Sequence, residues 1–252
     1  MTFIRTEDCD CGQVDIYEME MIAGPQKGEL VEVKSNCKCE DIQLAKEAAE
    51  IKKRIGEKKM RDVFDRHSLI NHELQKASLD TYEVKNESTA RAKRIAERYV
   101  EVFSTENPRN LLLVGSYGVG KSHLAKAITD KVIETGYSAI FISVPKLLTR
   151  FRTSYSKSAE YTELDLIEAL TRTDLLVLDD LGAEKSNEWA FEKLFEIVDS
   201  RQGMNTIYTS NYQPKDLIKK LGERNFSRVV NLDTTVVEID GDNHRLGRFK
   251  ED

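Results

Sequence analysis

An eight-residue segment near the middle of the chain has the residue types and the spacing that bind phosphate. It matches the pattern G-x-x-x-x-G-K-[ST]. Glycines let backbone N–H groups surround phosphate oxygens, the lysine adds a cation, and the serine hydroxyl is a ligand for Mg²⁺. The segment follows an apolar run and opens a helical one, which is the context that this loop requires. Its residues are Gly115, Ser116, Tyr117, Gly118, Val119, Gly120, Lys121 and Ser122.

Two adjacent carboxylates, Asp179 and Asp180, directly follow the apolar run 175–178. Asp179 would hold Mg²⁺, and Asp180 would orient and deprotonate an attacking water. A helix cap or a solvated turn is the alternative. The segment also fits the short D-x-x-G pattern of GTPases, but no guanine-specifying N/T-K-x-D follows it. The nucleotide that we expect is therefore ATP.

Polar residues farther along the chain are additional candidates. At the end of a predicted strand, Asn211 or Ser210 could hydrogen-bond the attacking water or the γ-phosphate, although asparagine is commonly only a turn former. Arg224 and Arg228 lie one helical turn apart on one face and could stabilise transition-state charge, in cis or from a neighbouring subunit. A solvated helix face is the alternative. Arg245 is a third candidate arginine.

All four cysteines lie in the first 40 residues, in two C-x-C pairs. They are Cys9, Cys11, Cys37 and Cys39. The alternating segments 13–21 and 29–34, with turn residues between them, predict a β-hairpin that these pairs bracket. Four thiolates can bind Zn²⁺ tetrahedrally in a closed structural site, and free thiols are the alternative.

The elements that must position these residues alternate regularly from residue 111 onward. Strands are predicted at 111–114, 139–144, 175–178, 206–209 and 236–239, and helices at 121–134, 145–155, 162–172 and 189–201. Strands that are apolar throughout and separated by helices predict an α/β fold with a parallel sheet covered by helices. We expect a zinc-binding N-terminal domain at 1–45, a helical linker and lead-in at 46–90, and an ATPase domain at 91–252.

Bulk composition is that of a globular protein. Of the 252 residues, 40% are hydrophobic and 33% are charged. No apolar run approaches the roughly 20 residues that span a bilayer, and the N-terminus has no apolar signal core. These features predict a cytoplasmic protein. A net charge of −6 argues against a surface that is basic throughout, although it permits a local basic stripe.

Five segments together resemble the DnaC/DnaI-type replicative helicase loaders, a branch of the AAA+ ATPases. They are GSYGVGKSHLAKAI, LLVLDDLGAEKSNEW, TIYTSN, LGERNFSR and DNHRL. The resemblance implies an ATPase, cellular or phage-encoded, that uses Mg²⁺ and helps deposit a hexameric DnaB-type replicative helicase on single-stranded DNA during replication initiation. It matches Asn211 to the sensor after the fourth strand and Arg245 to the second sensor. It matches Arg228, with Arg224 close behind, to an arginine finger acting between subunits of a homo-oligomer.

The resemblance assigns expected roles to two further segments. Such loaders carry a helical element between the second and third strands that serves self-assembly and single-strand contact, and residues 147–161 occupy that place. Some DnaI-type relatives have an N-terminal zinc module, with a different ligand pattern, that binds the helicase. The segment 147–161 interleaves Arg150, Arg152 and Lys157 with Phe151, Tyr155 and Tyr161, and an amphipathic surface helix is the alternative.

Three other functions compete with helicase loading. An IstB-type transposition ATPase would share the core and pair with a transposase. A P-loop kinase of small molecules would need a lid-like arginine cluster, which we do not find in the sequence. An adaptor would bind ATP and barely hydrolyse it. We expect weak hydrolysis that depends on oligomerisation or DNA, and no membrane partner.

Overall fold

The computed structural model describes residues 1–48, 51, 72–156, 158–184 and 187–244. The chain divides into two compact units, Met1–Lys58 and Lys59–Asp252. Much of the predicted linker helix falls outside the described residues, although residues 39–48 are helical (α1). Within the described ranges, no helix is long and apolar enough to cross a membrane.

The first unit is built on a three-stranded antiparallel sheet in the order β1-β2-β3. Its strands are β1 (Thr2–Cys9), β2 (Gly12–Glu20) and β3 (Leu30–Ser35). The predicted hairpin is present as β2 and β3, but β1 was missing from the prediction. Almost all of β1 is exposed and its second half is polar, so it lacks the alternation that marks a half-buried strand. Its Cys9 pairs with Gly12 across a tight turn.

The second unit contains a five-stranded parallel sheet in the order β5-β6-β7-β4-β8. Its strands are β4 (Asn110–Val114), β5 (Ala139–Ser143), β6 (Leu175–Asp179), β7 (Asn205–Ser210) and β8 (Thr234–Glu238). The parallel α/β fold predicted from the sequence is confirmed. Because β7 lies between β4 and β6, the phosphate-loop strand and the acid-bearing strand end on either side of the end of β7.

Helices cover both faces of this sheet. They are α2 (His72–Gln75), α3 (Glu87–Glu101), α4 (Lys121–Glu134), α5 (Val144–Ser154), α6 (Glu163–Arg172), α7 (Glu188–Ser200) and α8 (Pro214–Val229). Alternate residues of β4 face opposite ways: Leu111 and Leu113 pack with α3 and α4, whereas Leu112 and Val114 pack with α5 to α8. Each fully buried leucine contributes about 2 kcal/mol, so the strand ends are held firmly.

Two segments outside the sheet flank the loop that follows β4. Before α3, Tyr82 packs into the core beside α4. After β8, the Ile239 N–H donates to the Val114 carbonyl at 2.8 Å, and the His244 N–H donates to the Gly118 carbonyl at 3.1 Å. The lead-in and the last described residues therefore both border the loop.

Candidate nucleotide site and metal centre

The loop at 115–122 leaves no space for a side chain at any of its three glycines. Gly115 and Gly118 have φ angles of 155° and 76°. A Cβ on Gly115 would lie 2.1 Å from the Ile239 carbonyl oxygen, and one on Gly118 would lie 2.0 Å from Asn243 Oδ1. Glycine is required there because both the backbone angles and the close neighbours exclude a Cβ. These glycines thus let the loop backbone pack closely against Ile239 and Asn243.

The lysine of the loop is buried at the start of α4. Lys121 is only 4% exposed. Its ammonium group donates to the carbonyl oxygens of Gly115 at 2.9 Å and Ser116 at 2.7 Å, and to Asn211 Oδ1 at 2.8 Å. A buried cation is stable only when its protons are satisfied in this way. The charge is consequently fixed at the mouth of the loop.

Asp179 ends β6 as a buried carboxylate. Thr209 Oγ1 donates to its Oδ1 at 2.6 Å, and Ser122 also hydrogen-bonds it. Burial and the neighbouring Asp180 raise the pKa of Asp179, while the bonds from Thr209 and Ser122 oppose that rise. A carboxylate and a hydroxyl at one point form the oxygen-ligand set that Mg²⁺ prefers.

Asp180 adopts a left-handed backbone conformation, with φ 58°. Such a conformation costs on the order of 1–2 kcal/mol for most residues, although Asp and Asn tolerate it better than others. Its N–H donates to Thr209 Oγ1 at 3.0 Å, and Asn211 Nδ2 approaches its Oδ1 at 3.3 Å. Since Asn211 also contacts Lys121, one amide joins the loop lysine to the second acid.

Of these groups, Lys121, Asp180 and Asn211 line a cavity of about 290 Å³. It is lined by Leu74, Thr81, Tyr82, Glu83, Tyr117, Gly118, Gly120, Lys121, Ser122, His123, Asp180, Asn211 and His244. One side therefore consists of the phosphate loop and two strand ends. The other side consists of the lead-in segment and the end of the described chain, with His244 Nδ1 3.6 Å from a Glu83 carboxylate oxygen.

The structure brings together the loop, both acids and Asn211. The candidate arginines Arg224 and Arg228 lie elsewhere in the same chain. Arg224 lies 3.5 Å from the centre of the Phe195 ring, and Arg228 Nε donates to Asp199 Oδ1 at 2.6 Å. Both arginines follow a kink at Gly222 in α8, and neither is among the cavity-lining residues. Arg245 lies outside the described residues.

Sequence reasoning overlooked several residues of this site. The sequence pattern marks Thr209 only as part of a strand, and it gives no sign that Tyr82, His123 and His244 line the cavity. Tyr82 packs against Gly120, where an added Cβ would come within 2.6 Å of its ring. No local pattern marks such residues, because their positions depend on which strands and segments become neighbours.

The expected DNA-contact segment needs correction. Arg150 and Phe151 are 6% and 0% exposed, so the expectation that these two side chains help to contact a single strand is wrong. They share a face of α5 with Leu147 and Leu148, which pack into the core. Lys157 lies outside the described residues.

The exposed end of α5 makes a contact that the sequence did not indicate. The Arg152 guanidinium lies 4.8 Å from the centre of the Trp189 ring. Trp189 Nε1 donates to the Tyr155 hydroxyl at 3.4 Å, and Tyr155 is 54% exposed. A cation and two aromatic rings thus lie together at the start of α7.

The four cysteines form a compact cluster in the first unit. Cys9 and Cys11 flank the β1–β2 turn, and Cys37 and Cys39 follow β3. Their sulfurs all lie within 4.8 Å of one another. The Cys9 sulfur is 3.1 Å from that of Cys39 and 3.8 Å from that of Cys37. Two residues next to the cysteines have positive φ angles, 118° at Gly12 and 63° at Asn36.

This geometry fits a tetrahedral metal ion. Zinc–sulfur bonds of about 2.3 Å place tetrahedral sulfurs about 3.8 Å apart. The Cys11–Cys37 separation is 3.9 Å, and the Lys38 N–H donates to the Cys11 sulfur at 3.2 Å. The hydrogen bond between the Cys9 and Cys39 thiols lowers the pKa of Cys9 and raises the pKa of Cys39. Four sulfur ligands with no oxygen donor can hold Zn²⁺ in a closed structural site.

Comparisons with known proteins agree with the fold and the phosphate loop. Residues 38–251 match the family of IstB-like ATP binding proteins. The replicative helicase loader DnaC of Escherichia coli (strain K12) is 31% identical over 173 residues, which are 68% of this chain and 69% of the relative. DnaC of Buchnera aphidicola subsp. Acyrthosiphon pisum is 30% identical over 154 residues, 60% of this chain and 62% of the relative.

A solved structure is similar over the same region. The crystal structure of the DnaC helicase loader has a TM-score of 0.61 at 30% identity, covering 67% of this chain and 99% of that one. The chain matches less than two thirds of the length of the Buchnera relative. The family match nevertheless takes in the phosphate loop, both acids and Asn211. The chain belongs to the IstB-like ATP-binding protein family and is similar to replicative helicase loaders of the DnaC type.

Proposed function

We propose that this chain is an ATPase that helps deposit a hexameric DnaB-type replicative helicase on single-stranded DNA during replication initiation. The observation that carries the proposal is 31% identity to the E. coli DnaC loader over 173 residues. The family match at residues 38–251 contains the phosphate loop and Asp180, which border one cavity, and the adjacent Asp179. ATP binding would assemble subunits and order the DNA contact, and hydrolysis would reset or release them.

The cavity residues divide the work of ATP hydrolysis. The loop N–H groups and Lys121 bind the phosphates. Ser122 and Asp179 would hold Mg²⁺, which would supply Lewis-acid stabilisation of phosphate charge. Asp180 orients the attacking water and accepts its proton. Asn211 positions that water or the γ-phosphate, a role that its present contacts with Lys121 and Asp180 support.

A helicase-loading assay tests this function. The full chain is mixed with the replicative helicase of its source and a circular single strand that carries an annealed oligonucleotide. We expect ATP-dependent release of the oligonucleotide that Lys121→Ala fails to support. A chain that neither associates with the helicase nor promotes release is not a loader. Turnover measured with and without single-stranded DNA distinguishes an ATPase from an adaptor that barely hydrolyses ATP.

The IstB-type transposition helper remains the alternative, because the family description carries that name. The curated relatives described above are named helicase loaders, which favours loading. The two functions differ in the nucleic acid that they require. A loader prefers single strands, whereas equal affinity for duplex and single strands would favour the transposition helper.

The single-strand contact is proposed to include Arg152, Tyr155 and Trp189. A guanidinium beside the exposed Tyr155 ring and the half-buried Trp189 ring combines phosphate charge with surfaces on which bases stack. The proposed contact therefore uses side chains that solvent reaches and leaves out Arg150 and Phe151, which are buried. It connects the end of α5 to the start of α7.

A double variant, Arg152→Ala with Tyr155→Ala, is expected to weaken binding of fluorescein-labelled oligo-dT at least tenfold, because stacking contributes about 1–3 kcal/mol per base. Anisotropy titrations with ATP or ADP measure the affinity. Wild-type affinity should be higher with ATP and should fall with added salt as counterions return. The control is Arg172→Ala, an exposed arginine that pairs with Glu168 on α6. Wild-type affinity in the double variant would contradict this assignment.

The cysteine cluster is proposed to be a structural zinc site whose module contacts the helicase. Metal analysis of the full chain should give about one zinc per chain. Cys37→Ser should lose the metal and unfold the first 40 residues, since small metal sites fold with their ion. Protease sensitivity of that segment, with ATP binding retained, measures the effect. Asp10→Asn, between two ligands, is the matched control and should keep zinc. Zinc-free protein from an unchelated preparation would contradict the site.

A further inference from the structure

One hydroxyl in the core contacts both acids of the nucleotide site. Thr209, in β7, is completely buried. Its Oγ1 donates to Asp179 Oδ1 at 2.6 Å and accepts from the Asp180 N–H at 3.0 Å. A threonine hydroxyl offers one donor and two acceptor positions, so both bonds form at once. This single atom therefore joins the side chain of one acid to the backbone of the next.

The end of β7 also holds the turn that these acids begin. The Leu181 N–H donates to the Thr209 carbonyl at 2.8 Å, and Ser210 Oγ donates to the Leu181 carbonyl at 2.7 Å. Asp180 lies between these contacts with its φ of 58°. A left-handed residue persists only where its surroundings hold it. The Thr209 hydroxyl acts at that residue, on its N–H.

We propose that Thr209 is a positioning residue for ATP hydrolysis. Its hydroxyl fixes the carboxylate of Asp179 for Mg²⁺ and holds the backbone of Asp180 so that its carboxylate lies beside Asn211. The inference rests on the proposed ATPase function. The competing explanation is that the Thr209 hydroxyl makes these hydrogen bonds only because a buried polar group needs partners. The two differ because a positioning role changes turnover and Mg²⁺ dependence separately from stability.

Two deletions of the hydroxyl and one conservative change separate these explanations. Thr209→Val keeps the side-chain volume, leaves the Asp180 N–H without an acceptor and removes a donor from Asp179. Thr209→Ala removes the same two hydrogen bonds without adding a methyl group. It replaces the valine variant in the assays if that variant aggregates. Thr209→Ser keeps the hydroxyl. The matched control is Thr129→Val in α4, where another buried hydroxyl donates to its own helix, at Ala125.

We expect Thr209→Val to lower kcat about tenfold or more, because an unsatisfied buried group and a lost charged hydrogen bond each have effects of that order. KM for ATP should change less than kcat. Binding of a fluorescent ATP analogue should need several-fold more Mg²⁺, a readout independent of turnover. Thr209→Ser should restore both properties. Thr129→Val should lower the melting temperature and leave both unchanged.

Wild-type kcat and Mg²⁺ dependence in a folded Thr209→Val or Thr209→Ala variant would overturn the proposal. So would equal impairment in Thr209→Ser, because that variant retains the hydroxyl, or in Thr129→Val. Lys121→Ala distinguishes these failures from failure of the ATPase function itself. If Lys121→Ala abolishes turnover while the hydroxyl deletions leave it intact, only the role of Thr209 is wrong. If Lys121→Ala hydrolyses ATP normally, the proposed function is wrong.

Discussion

Asp180→Asn is expected to bind ATP and fail to hydrolyse it, whereas Lys121→Ala is expected to abolish hydrolysis altogether. Asparagine keeps the size of the side chain and tolerates the left-handed backbone at this position. It also keeps an oxygen facing Asn211, but it cannot take a proton from water. Loss of general-base catalysis lowers rates by about 10²–10⁴-fold. Asp179 and Ser122 remain to hold Mg²⁺, and so nucleotide affinity should be preserved.

Lys121→Ala removes the buried charge that neutralises the outer phosphates. Its ammonium makes three hydrogen bonds around the loop, so the variant should lose phosphate recognition as well as turnover. A phosphate-release assay and a fluorescent-ATP titration separate binding from chemistry. Lys126→Ala, on the same helix and paired with Asp130, is the matched control. Hydrolysis by Asp180→Asn at the wild-type rate would show that Asp180 is not the base.

Some residues of the site can be predicted from the sequence, and others cannot. The phosphate loop and the acid pair are contiguous runs whose chemistry depends on backbone and charge, so the sequence displays them directly. Thr209 contacts the acids only because β7 inserts between β4 and β6. That strand order is not written in any local pattern.

The errors concern side-chain direction and distance along the chain. Arg150 lies three residues after Leu147 and directly before Phe151, on the helix face that packs into the core. Helical periodicity would have placed it there, whereas composition alone suggested a basic surface. The contact between Trp189 and Tyr155 could not be predicted from a local pattern, because 34 positions separate the two residues. The sequence pattern does not predict strand β1, because this exposed strand has no apolar face.

Mixing Lys121→Ala with Arg228→Ala is expected to restore ATPase activity that neither variant has alone. The cavity of one chain is not lined by Arg224 or Arg228, so either of these two arginines would act on a cavity from a neighbouring chain. A guanidinium there would meet charge developing on the γ-phosphate. Within its own chain Arg228 is held by Asp199, and both side chains remain partly exposed. It is therefore accessible to a second subunit.

Contacts of this kind are head-to-tail, and they build rings or open spirals rather than two-fold dimers. Wild-type turnover should consequently rise more than linearly with protein concentration. In the mixture, activity should appear only at junctions where an intact loop faces an intact Arg228. A mixture of Lys121→Ala with the double variant Lys121→Ala/Arg228→Ala has no such junction and is the matched negative control.

The outcome of the mixing experiment separates two arginines and two mechanisms. Restored activity in the first mixture alone establishes that Arg228 acts in trans. If that mixture stays as inactive as its parts under conditions where the wild type assembles, Arg228 has no such role. Arg224, which stacks on Phe195 one turn earlier, is then tested by the same pairing with Lys121→Ala. If both pairings fail while wild-type turnover is linear in protein concentration, each chain hydrolyses ATP by itself, and assembly serves another step.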